Sequence, residues 1–457
     1  MNQLFEKSMS NNLSFWQHKY GEYKPSTPIG EGTHDVDLLI IGGGFTGLTV
    51  ARETRRDNPH LKVMVVEAQD IGFGASGRNG GFSMAQFGLE PEITMLRWGE
   101  EKAKQGQAYA LKGVEYVRNL IEQENLDSDY EHTGMLRIAY SDSQVKRLRK
   151  TFKLITSLAP NANYQFLECP AAQAMLKSTQ VKAAIFEPMV GILDPCKHVR
   201  ELKRLAQNAG ATLHENTKVL DINTTEHAIK VITQNASINT KKLVIATNAW
   251  THKIPGLKKL RNRQHPAWSH QIVTEPLTKQ ELKSLGNQER FSVLDNRQMF
   301  HYMRVTQCGR ITIGGGDGKC QYGDDMSLWN EEKVWKKLEE HFRWLFPDLH
   351  HKKIEFKWGG PVSVNLDMAP EIGFINDERI IYATGCLGHG VSSTQLNGRL
   401  IADLIAGNNS ELSKFWIVNR KAIPTPPGSL LKYLGIKIIT SVLKGIDKFE
   451  ERHLAKP

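Results

Sequence analysis

The stretch IIGGGFTGLTV contains four glycines at the point where an apolar run ends and a helix-like pattern begins. Gly42, Gly44 and Gly47 fit the spacing G-x-G-x-x-G, in which the first glycine makes a tight turn and the second lets a pyrophosphate approach the backbone. The third glycine lets helix and strand pack closely, so that the phosphates meet the positive end of the helix. This pattern predicts a dinucleotide site at the end of the first strand.

An acidic residue ends the next apolar run, LKVMVVEA. Glu67 lies twenty residues beyond Gly47, where dinucleotide-binding units place the carboxylate that holds a ribose hydroxyl. A glutamate that is simply solvated at a strand end is the alternative. The succession of strand, glycines, helix, strand and acid favours the ribose role, and the negative charge disfavours a ribose that carries a 2′-phosphate.

A second glycine-rich loop, GFGASGRNGGFS, follows at residues 72–83. A nicotinamide site does not need such a loop, whereas a flavin dinucleotide needs a second backbone cradle. Ser76 and Asn79 are expected to donate to phosphate or ribitol oxygens, and Arg78 to offset charge. Gly80 and Gly81 would let the main chain lie against the flavin ring. A flexible surface loop is the open alternative.

A third turn of this kind occurs near the other end of the chain, in RIIYATGCLGHGVSSTQLNG. A strand at 380–384 meets Gly385, Gly388 and Gly390, and a helix begins. No second ribose-binding acid follows. A helix amino terminus in this place suits the flavin pyrimidine, which gains negative charge on reduction.

These motifs together resemble the D-amino acid oxidase (DAO) family of FAD-dependent oxidoreductases, and most closely its γ-glutamylputrescine oxidase-like branch. The segments that carry the resemblance are GGGFTG, VVEA, GASGRNGG, YMRVTQCGRITIGGG, WGGPVSVNLDMAPEIG and GHGVSSTQLNGRLIADLIAG. The resemblance implies FAD as the cofactor, and its contacts would be Gly42, Gly44, Phe45, Thr46, Gly47, Glu67, Ala68, Ala75, Ser76, Arg78, Asn79, Gly80, Gly81, Val219, Asn248, Gly385, Gly388, His389, Gly390 and Val391.

Two departures from the family pattern bear on the class of substrate and on whether FAD is attached covalently. Members that act on free amino acids carry an arginine after the tryptophan–glycine segment, which here reads Trp358 to Ser363 without one. A simple α-amino acid is therefore not the expected substrate. Sarcosine oxidase-like members attach FAD through a cysteine where this chain has Gly360, so FAD is expected to bind non-covalently.

Four residues are candidates for the substrate pocket, although none is assigned a certain catalytic role. Tyr302 and Arg304 alternate along a predicted strand and so share one side. They are expected to hold a remote carboxylate or amide of the substrate, and a solvent-facing sheet surface is the alternative. Trp358 is the third candidate. His389 is expected to tune the flavin or gate the substrate, or else to cap its helix structurally.

The order of the motifs predicts an interleaved, mixed α/β fold. A Rossmann-like FAD-binding domain would comprise 35–90, 190–260 and 355–410. A substrate domain on a mostly antiparallel sheet with helices would comprise 91–189 and 261–354. Residues 1–34 and 411–457 would be extensions, and the second of these carries an amphipathic, lysine-rich helix. That helix is expected to dock on the protein, and peripheral contact with a membrane is the alternative.

The bulk properties exclude several other classes of protein. The chain of 457 residues has a net charge of +10, but its basic residues are dispersed, so nucleic acid is not an expected partner. Five cysteines without a C-x-x-C pair predict neither disulfides nor a metal site. No signal peptide or transmembrane run is visible, and a cytoplasmic location is expected.

The sequence thus predicts a flavoenzyme that oxidises a secondary or acylated primary amine, such as a γ-glutamyl polyamine, to an imine. Hydride would pass to flavin N5, and O2 is the expected acceptor. A membrane-associated amine or D-amino acid dehydrogenase that reduces a quinone is the alternative. A non-catalytic flavin-binding protein is a third reading.

Overall fold

The computed structural model describes residues 13–286, 289–375, 377–423 and 429–454. Its helices in chain order are α1 (Phe15–Tyr20), α2 (Phe45–Asp57), α3 (Pro91–Gln123), α4 (Asp142–Leu158), α5 (Cys169–Met175), α6 (Pro195–Asn208), α7 (Lys279–Ser284), α8 (Glu332–Leu345), α9 (Gly390–Ala406) and α10 (Ser429–Glu450).

The strands are β1 (Gly32–Ile41), β2 (Val63–Val66), β3 (Phe82–Ser83), β4 (Met135–Ala139), β5 (Gln165–Glu168), β6 (Ala183–Glu187), β7 (Gly191–Ile192), β8 (Thr212–His214), β9 (Val219–Thr224), β10 (Ile229–Thr233), β11 (Ala236–Ile245), β12 (His265–Thr274), β13 (Ser292–Asp295), β14 (His301–Val305), β15 (Ile311–Lys319), β16 (Ile354–Val364), β17 (Glu371–Ile375) and β18 (Asp377–Thr384).

One sheet, called the parallel sheet below, has the strand order β17-β18-β11-β1-β2-β8. From β18 to β8 neighbouring strands are parallel, while β17 and the β9–β10 hairpin join antiparallel. Leu38 and Ile40 of β1 pack in one core cluster, and Leu39 and Ile41 pack in another. Because both faces of the sheet are covered, the strand reads as a continuous apolar run.

The other large sheet, called the antiparallel sheet below, has the order β16-β12-β15-β14-β13-β4-β6-β5. Its neighbours are antiparallel except for the β13–β4 pair. Helix α8 covers one face, where Leu338 and Phe342 lie in its core cluster. The predicted mixed α/β fold with a Rossmann-like sheet and a mostly antiparallel sheet is confirmed.

Two elements pack with a different sheet from the one that the predicted domain bounds suggest. Strand β16, predicted in the FAD-binding domain, pairs with β12 along its whole length and belongs to the antiparallel sheet. Helix α3, predicted in the substrate domain, buries Tyr109 and Val117 in a core cluster of the parallel sheet. Sequence order alone does not reveal either assignment, because both depend on partners that are distant along the chain.

The carboxy-terminal helix α10 docks on the protein, but its apolar stripe faces outward. Lys432 forms an ion pair with Asp324, and the Asp447 carboxylate accepts hydrogen bonds from the backbone of Gln298 (2.7 Å) and Met299 (2.9 Å). The residues of the stripe are exposed, namely Leu431, Leu434, Ile438, Val442, Ile446 and Phe449. The helix therefore docks through its polar side and leaves the apolar stripe exposed.

Candidate functional site

The first glycine turn has the steric constraints that its spacing predicts. Gly42 has a φ of 115°, and a Cβ there would lie 2.5 Å from the carbonyl oxygen of Ala246, the residue that follows β11. A Cβ on Gly47 would overlap the carbonyl oxygen of Gly42, so this glycine allows α2 to pack on β1. Gly44 precedes α2 as its N-cap residue. The turn thus presents the amino terminus of α2 at the carboxyl end of the parallel sheet.

The second glycine-rich loop meets this helix terminus directly. The hydroxyl of Ser76 accepts a hydrogen bond from the backbone N–H of Phe45 at 3.0 Å. The Ser76 hydroxyl can still donate its own proton. The first N–H groups of any α-helix lack intrahelical partners, so this junction is suited to an anion. Thr46, Ala75 and Ser76 are partly exposed here.

All the predicted glycine segments are linked into one ring of contacts. Ser76 and Arg78 belong to the same loop, and Gly359 and Ser363 both lie on β16. Ala246 and Asn248 follow β11. The ring closes there, because Ala246 lies against Gly42. The linking contacts are Phe45 N–Ser76 Oγ (3.0 Å), Arg78 Nη1–Gly359 O (3.4 Å), Gly385 N–Ser363 Oγ (2.9 Å) and Cys386 Sγ–Asn248 Oδ1 (3.3 Å).

Glu67 lies at the exit of β2, beside the first turn. Its carboxylate accepts hydrogen bonds from the backbone of Gly43 (2.7 Å) and Gln69 (3.0 Å). Burial raises the pKa of Glu67, and these two backbone donors oppose that rise. The backbone N–H of Thr217 donates to the Glu67 carbonyl at 2.8 Å, which places Val219, at the start of β9, near the same edge. Ala68 is exposed there.

Arg78 is a buried cation without a carboxylate partner among the described residues. Its guanidinium stacks on the rings of Phe73 and Trp329 at 4.9 and 4.8 Å, and Nε donates to the carbonyl of Phe73 at 2.7 Å. Nη2 is buried with no hydrogen-bond partner there. Burial lowers the pKa of Arg78 to about 9. A buried, uncompensated positive charge is costly, and an anionic ligand would relieve that cost.

Asn79 shapes the second loop from within. Its amide nitrogen donates to the carbonyls of Ala75 (3.0 Å) and Ser76 (3.2 Å), and its oxygen accepts from the backbone of Gly81 (2.7 Å). The amide hydrogens are therefore used inside the loop, and the prediction that they donate to phosphate or ribitol oxygens does not agree with this arrangement. A Cβ at Gly80 would overlap the ring of Phe82, and one at Gly81 would overlap the carbonyl oxygen of Leu193, so tight packing explains both glycines.

Tyr302 and Arg304 do share one side of β14, as their alternation predicts. Tyr302 packs edge-on against Phe82 with ring centroids 5.4 Å apart, and its hydroxyl lies 3.2 Å from Ser269 Oγ. Burial raises the pKa of Tyr302 to about 12, so the phenol keeps its proton at neutral pH. It is therefore suited to donate a hydrogen bond beside the second glycine loop.

The guanidinium of Arg304 is turned towards the protein. Nη2 donates to the carbonyl of Leu193 at 2.7 Å, and the guanidinium carbon lies 4.7 Å from the ring of Trp16. A Cβ at Gly81 would lie 2.6 Å from Nη2, so Arg304 supports the second glycine loop from behind. This position does not agree with the predicted clamp on a substrate carboxylate.

Arg304→Met is expected to lower the free energy of unfolding by about 1 kcal/mol. The lost hydrogen bond to Leu193 is worth about 1.5–3 kcal/mol, and removal of a buried charge offsets part of it. Burial lowers the pKa of Arg304 to about 10, in agreement with this offset. Denaturant unfolding measures the stability. A KM increase confined to amines with an anionic tail would contradict this assignment and restore the predicted clamp.

Trp358 and the amino-terminal helix also brace the second loop. The indole N–H of Trp358 donates to the carbonyl of Arg78 at 2.9 Å, and the residue is fully buried, so its visible role is to support the second loop. Gln271 donates to the same carbonyl at 2.7 Å. Ser14, the N-cap of α1, donates to the carbonyl of Gly77 at 2.7 Å. Sequence reasoning missed the role of α1, although Ser14-x-x-Gln17 is a capping-box signature.

His389 lies at the third glycine turn as the N-cap residue of α9. Its side chain is buried and interacts with the backbone of Gly88, while Nδ1 has no partner among the described residues. Burial lowers the pKa of His389 to about 4, so the ring is neutral at physiological pH. Gly388 is exposed and Gly390 partly exposed beside it, while Gly385 and Val391 are buried.

Asp295, His301 and His341 form a buried cluster in the antiparallel sheet and α8, close enough to share one ion. The two Nδ1 atoms lie 2.7 Å apart, and Arg297 Nη1 lies 3.2 Å from His301 Nδ1. Because a guanidinium already contacts the cluster, we assign it to hydrogen bonding rather than to a metal. The sequence contains no spacing that would have predicted it.

Comparison with known proteins shows a match over nearly the whole chain. Residues 37–404 match the model of the family DAO, FAD dependent oxidoreductase. The Haemophilus influenzae protein named probable oxidoreductase OrdL is 28% identical over 94% of this chain and 95% of its own. The γ-glutamylputrescine oxidoreductase of Escherichia coli is 29% identical over 92% of this chain and 94% of its own.

Among solved structures, the L-proline dehydrogenase of P. horikoshii superimposes with a TM-score of 0.69. The two chains are 23% identical, and the match covers 84% of this chain and 97% of the dehydrogenase. At this identity the superposition concerns the fold alone.

Proposed function

The chain belongs to the DAO family of FAD-dependent oxidoreductases, and from this premise we propose that it oxidises a carbon–nitrogen bond of an amine to an imine. The observation that carries the proposal is the ring of contacts that joins three glycine turns around one site. When bound, FAD supplies the electron sink for a two-electron oxidation. The imine hydrolyses to an aldehyde and an amine or ammonia.

The residues of the ring fit an extended dinucleotide from one end to the other. Glu67 at the exit of β2 would hold the adenosine ribose, and the amino terminus of α2 with Ser76 would hold the pyrophosphate. The buried Arg78 guanidinium, which has no carboxylate partner among the described residues, would offset negative charge on the cofactor. The amino terminus of α9 would face the flavin pyrimidine.

The substrate class that we propose is an acylated polyamine of the γ-glutamyl type. The segment from Trp358 to Ser363 contains no arginine, although the family resemblance places one there in members that act on free amino acids. An uncharged residue there gives an α-carboxylate no ion pair. The 29% identity to the γ-glutamylputrescine oxidoreductase supports the same class. Tyr302 is the candidate donor to the substrate amide.

A panel of amines tests this function. With O2 as acceptor, turnover is measured as hydrogen peroxide release from γ-glutamylputrescine, free putrescine, N-methyl amino acids and D-amino acids. We expect γ-glutamylputrescine to have the highest kcat/KM of the panel. Preference for a D-amino acid or an N-methyl amino acid would refute the proposed substrate class but not the oxidation of an amine.

We propose that FAD is bound without a covalent link. Gly360 occupies the position of the linking cysteine in the sarcosine oxidase-like members, and Cys386 is a partly buried thiol whose pKa is raised by desolvation. Such a thiol is a poor nucleophile. Acid precipitation of the yellow protein should release all the FAD into the supernatant. Yellow colour that stays in the pellet would contradict the proposal.

His389 is expected to contribute no ionisation to the pH profile of catalysis. Its pKa, lowered to about 4 by burial, lies below the range in which the enzyme is assayed, so kcat/KM between pH 6 and 9 should not follow its charge. His389→Gln should leave the shape of that profile unchanged. An inflection between pH 6 and 7 that disappears in the variant would show that the imidazole titrates during turnover.

A quinone is the second candidate acceptor, and the exposed apolar stripe of α10 favours it. Enzyme reduced anaerobically by substrate can be mixed with either air or a short-chain quinone. Rapid return of the flavin absorbance in air supports an oxidase. Slow return in air with rapid return by quinone would instead identify a dehydrogenase.

A further inference from the structure

Helix α10 exposes a continuous apolar surface, which we call the apolar face. Leu431, Ile438 and Phe449 are 68%, 64% and 62% exposed, although side chains of this size usually lie inside a protein. The face consists of Leu430, Leu431, Leu434, Ile438, Ile439, Val442, Ile446 and Phe449. At 100° per residue these positions cover about half of the helix circumference. A patch of this kind indicates an interaction surface rather than scattered surface residues.

The orientation of the apolar face is fixed by contacts on the opposite side of the helix. Lys444 forms an ion pair with Asp317 at 3.0 Å, and Glu450 forms one with Arg147. Tyr433 packs edge-on against Tyr322 with ring centroids 6.0 Å apart. Together with the contacts of Lys432 and Asp447, these interactions hold both ends of the helix. The face therefore points away from the protein body.

The charges around the apolar face are complementary to an anionic surface. Lys437 and Lys448 are exposed along one edge of the face, and Arg452 is exposed just beyond its end. The acidic residues of the helix, Asp447 and Glu450, are engaged with the protein on the docked side. The whole chain has a net charge of +10. A second copy of the chain would instead bring these lysines against one another.

We propose that α10 lies in the plane of a bilayer that contains anionic lipid, with its apolar face among the acyl chains and with Lys437 and Lys448 at the headgroups. No helix among the described residues is long and apolar enough to cross a membrane. A helix with one apolar and one basic side is typical of interfacial binding. The inference concerns the surface of the protein and does not depend on the proposed substrate.

Flotation of the full-length, FAD-loaded protein with vesicles tests the inference. We expect binding to vesicles of phosphatidylcholine with about one third phosphatidylglycerol, and much weaker binding to phosphatidylcholine alone. The double variant Ile438→Asp and Val442→Asp should bind at least tenfold less. Lys437→Gln and Lys448→Gln should each weaken binding to the anionic vesicles about fivefold, and high salt should act in the same direction.

Leu96→Asp is the matched control, because Leu96 is 90% exposed on α3 and lies outside the apolar face. Its binding should equal that of the parent protein, and all variants should keep bound FAD and the parent melting temperature. Absence of parent binding to anionic vesicles would overturn the inference, as would an equal loss in the Leu96 control. A dimer in solution that the double variant dissociates, without vesicle binding, would identify the face as a self-association surface instead.

Discussion

Replacement of Glu67 by glutamine is expected to raise the dissociation constant of FAD at least tenfold. The side chain of glutamine is nearly the same size, but it carries no charge. Hydrogen bonds to a charged group contribute about 1.5–3 kcal/mol each, which corresponds to roughly a tenfold to hundredfold change in affinity. One half of the new amide would also present hydrogen atoms to the backbone N–H of Gly43 or Gln69, which now donate to the carboxylate.

Titration of the apoprotein with FAD, followed by quenching of flavin fluorescence, measures this effect. Asp70→Asn is the matched control, since Asp70 lies three residues further along the same edge and its carboxylate contacts Asn216 at 3.5 Å. The control should bind FAD as the parent protein does. If Glu67→Gln also binds FAD normally, Glu67 serves only the turn through Gly43 and Gln69, and the ribose assignment is wrong.

Replacement of Trp16 by alanine is expected to lower the free energy of unfolding by about 3–5 kcal/mol, the usual cost of removing a buried tryptophan. Trp16 is fully buried, packs edge-on with Phe15 at 5.0 Å and lies under the guanidinium of Arg304. Because Arg304 contacts the segment of Gly81, the second glycine loop should loosen as well. FAD should therefore dissociate faster from the variant.

Chemical denaturation measures the stability, and the rate of FAD release into an excess of an FAD-binding apoprotein measures the loosening of the loop. Leu13→Ala serves as the control, because Leu13 precedes α1 and is 51% exposed. It should change neither quantity appreciably. A loss of less than about 1 kcal/mol in the Trp16 variant would mean that α1 does not brace the loop, since burial of a large aromatic side chain contributes more than this.

The glycine turns were predictable because their constraints are local. Gly42 and Gly47 are required by contacts with Ala246 and with each other, and the spacing between them reflects one strand, one turn and the first turn of one helix. The position of Glu67 follows from the same unit of structure. Such rules need only a few dozen consecutive residues, which a single sequence provides.

The directions of Arg304 and Trp358 could not be predicted in this way. Alternation along β14 correctly placed Tyr302 and Arg304 on one side of the strand. It could not show which residues cover that side. An amino-terminal helix nearly three hundred residues earlier supplies Trp16, and its contact turns the guanidinium away from a substrate. Likewise, the pairing of β16 with β12 decides the sheet to which Trp358 belongs.

For helix α10, the sequence predicted the helix itself but not the direction of its apolar side. Its periodicity predicted an amphipathic helix, and the structure contains one. The direction of its apolar side depends on Asp317, Asp324 and the backbone of residues 298 and 299, which attract the polar side. A hydrophobic stripe therefore indicates that something must cover it, but not whether the protein itself does so.

The most direct test of the proposed amine oxidation is the reductive half-reaction. The yellow, FAD-loaded protein is mixed with γ-glutamylputrescine in the absence of oxygen, and the flavin absorbance band is followed with time. We predict that the band is lost in a single turnover, with one equivalent of aldehyde formed for each FAD. A band that persists with γ-glutamylputrescine and with every other amine of the panel would contradict the assignment of this chain as an amine oxidoreductase.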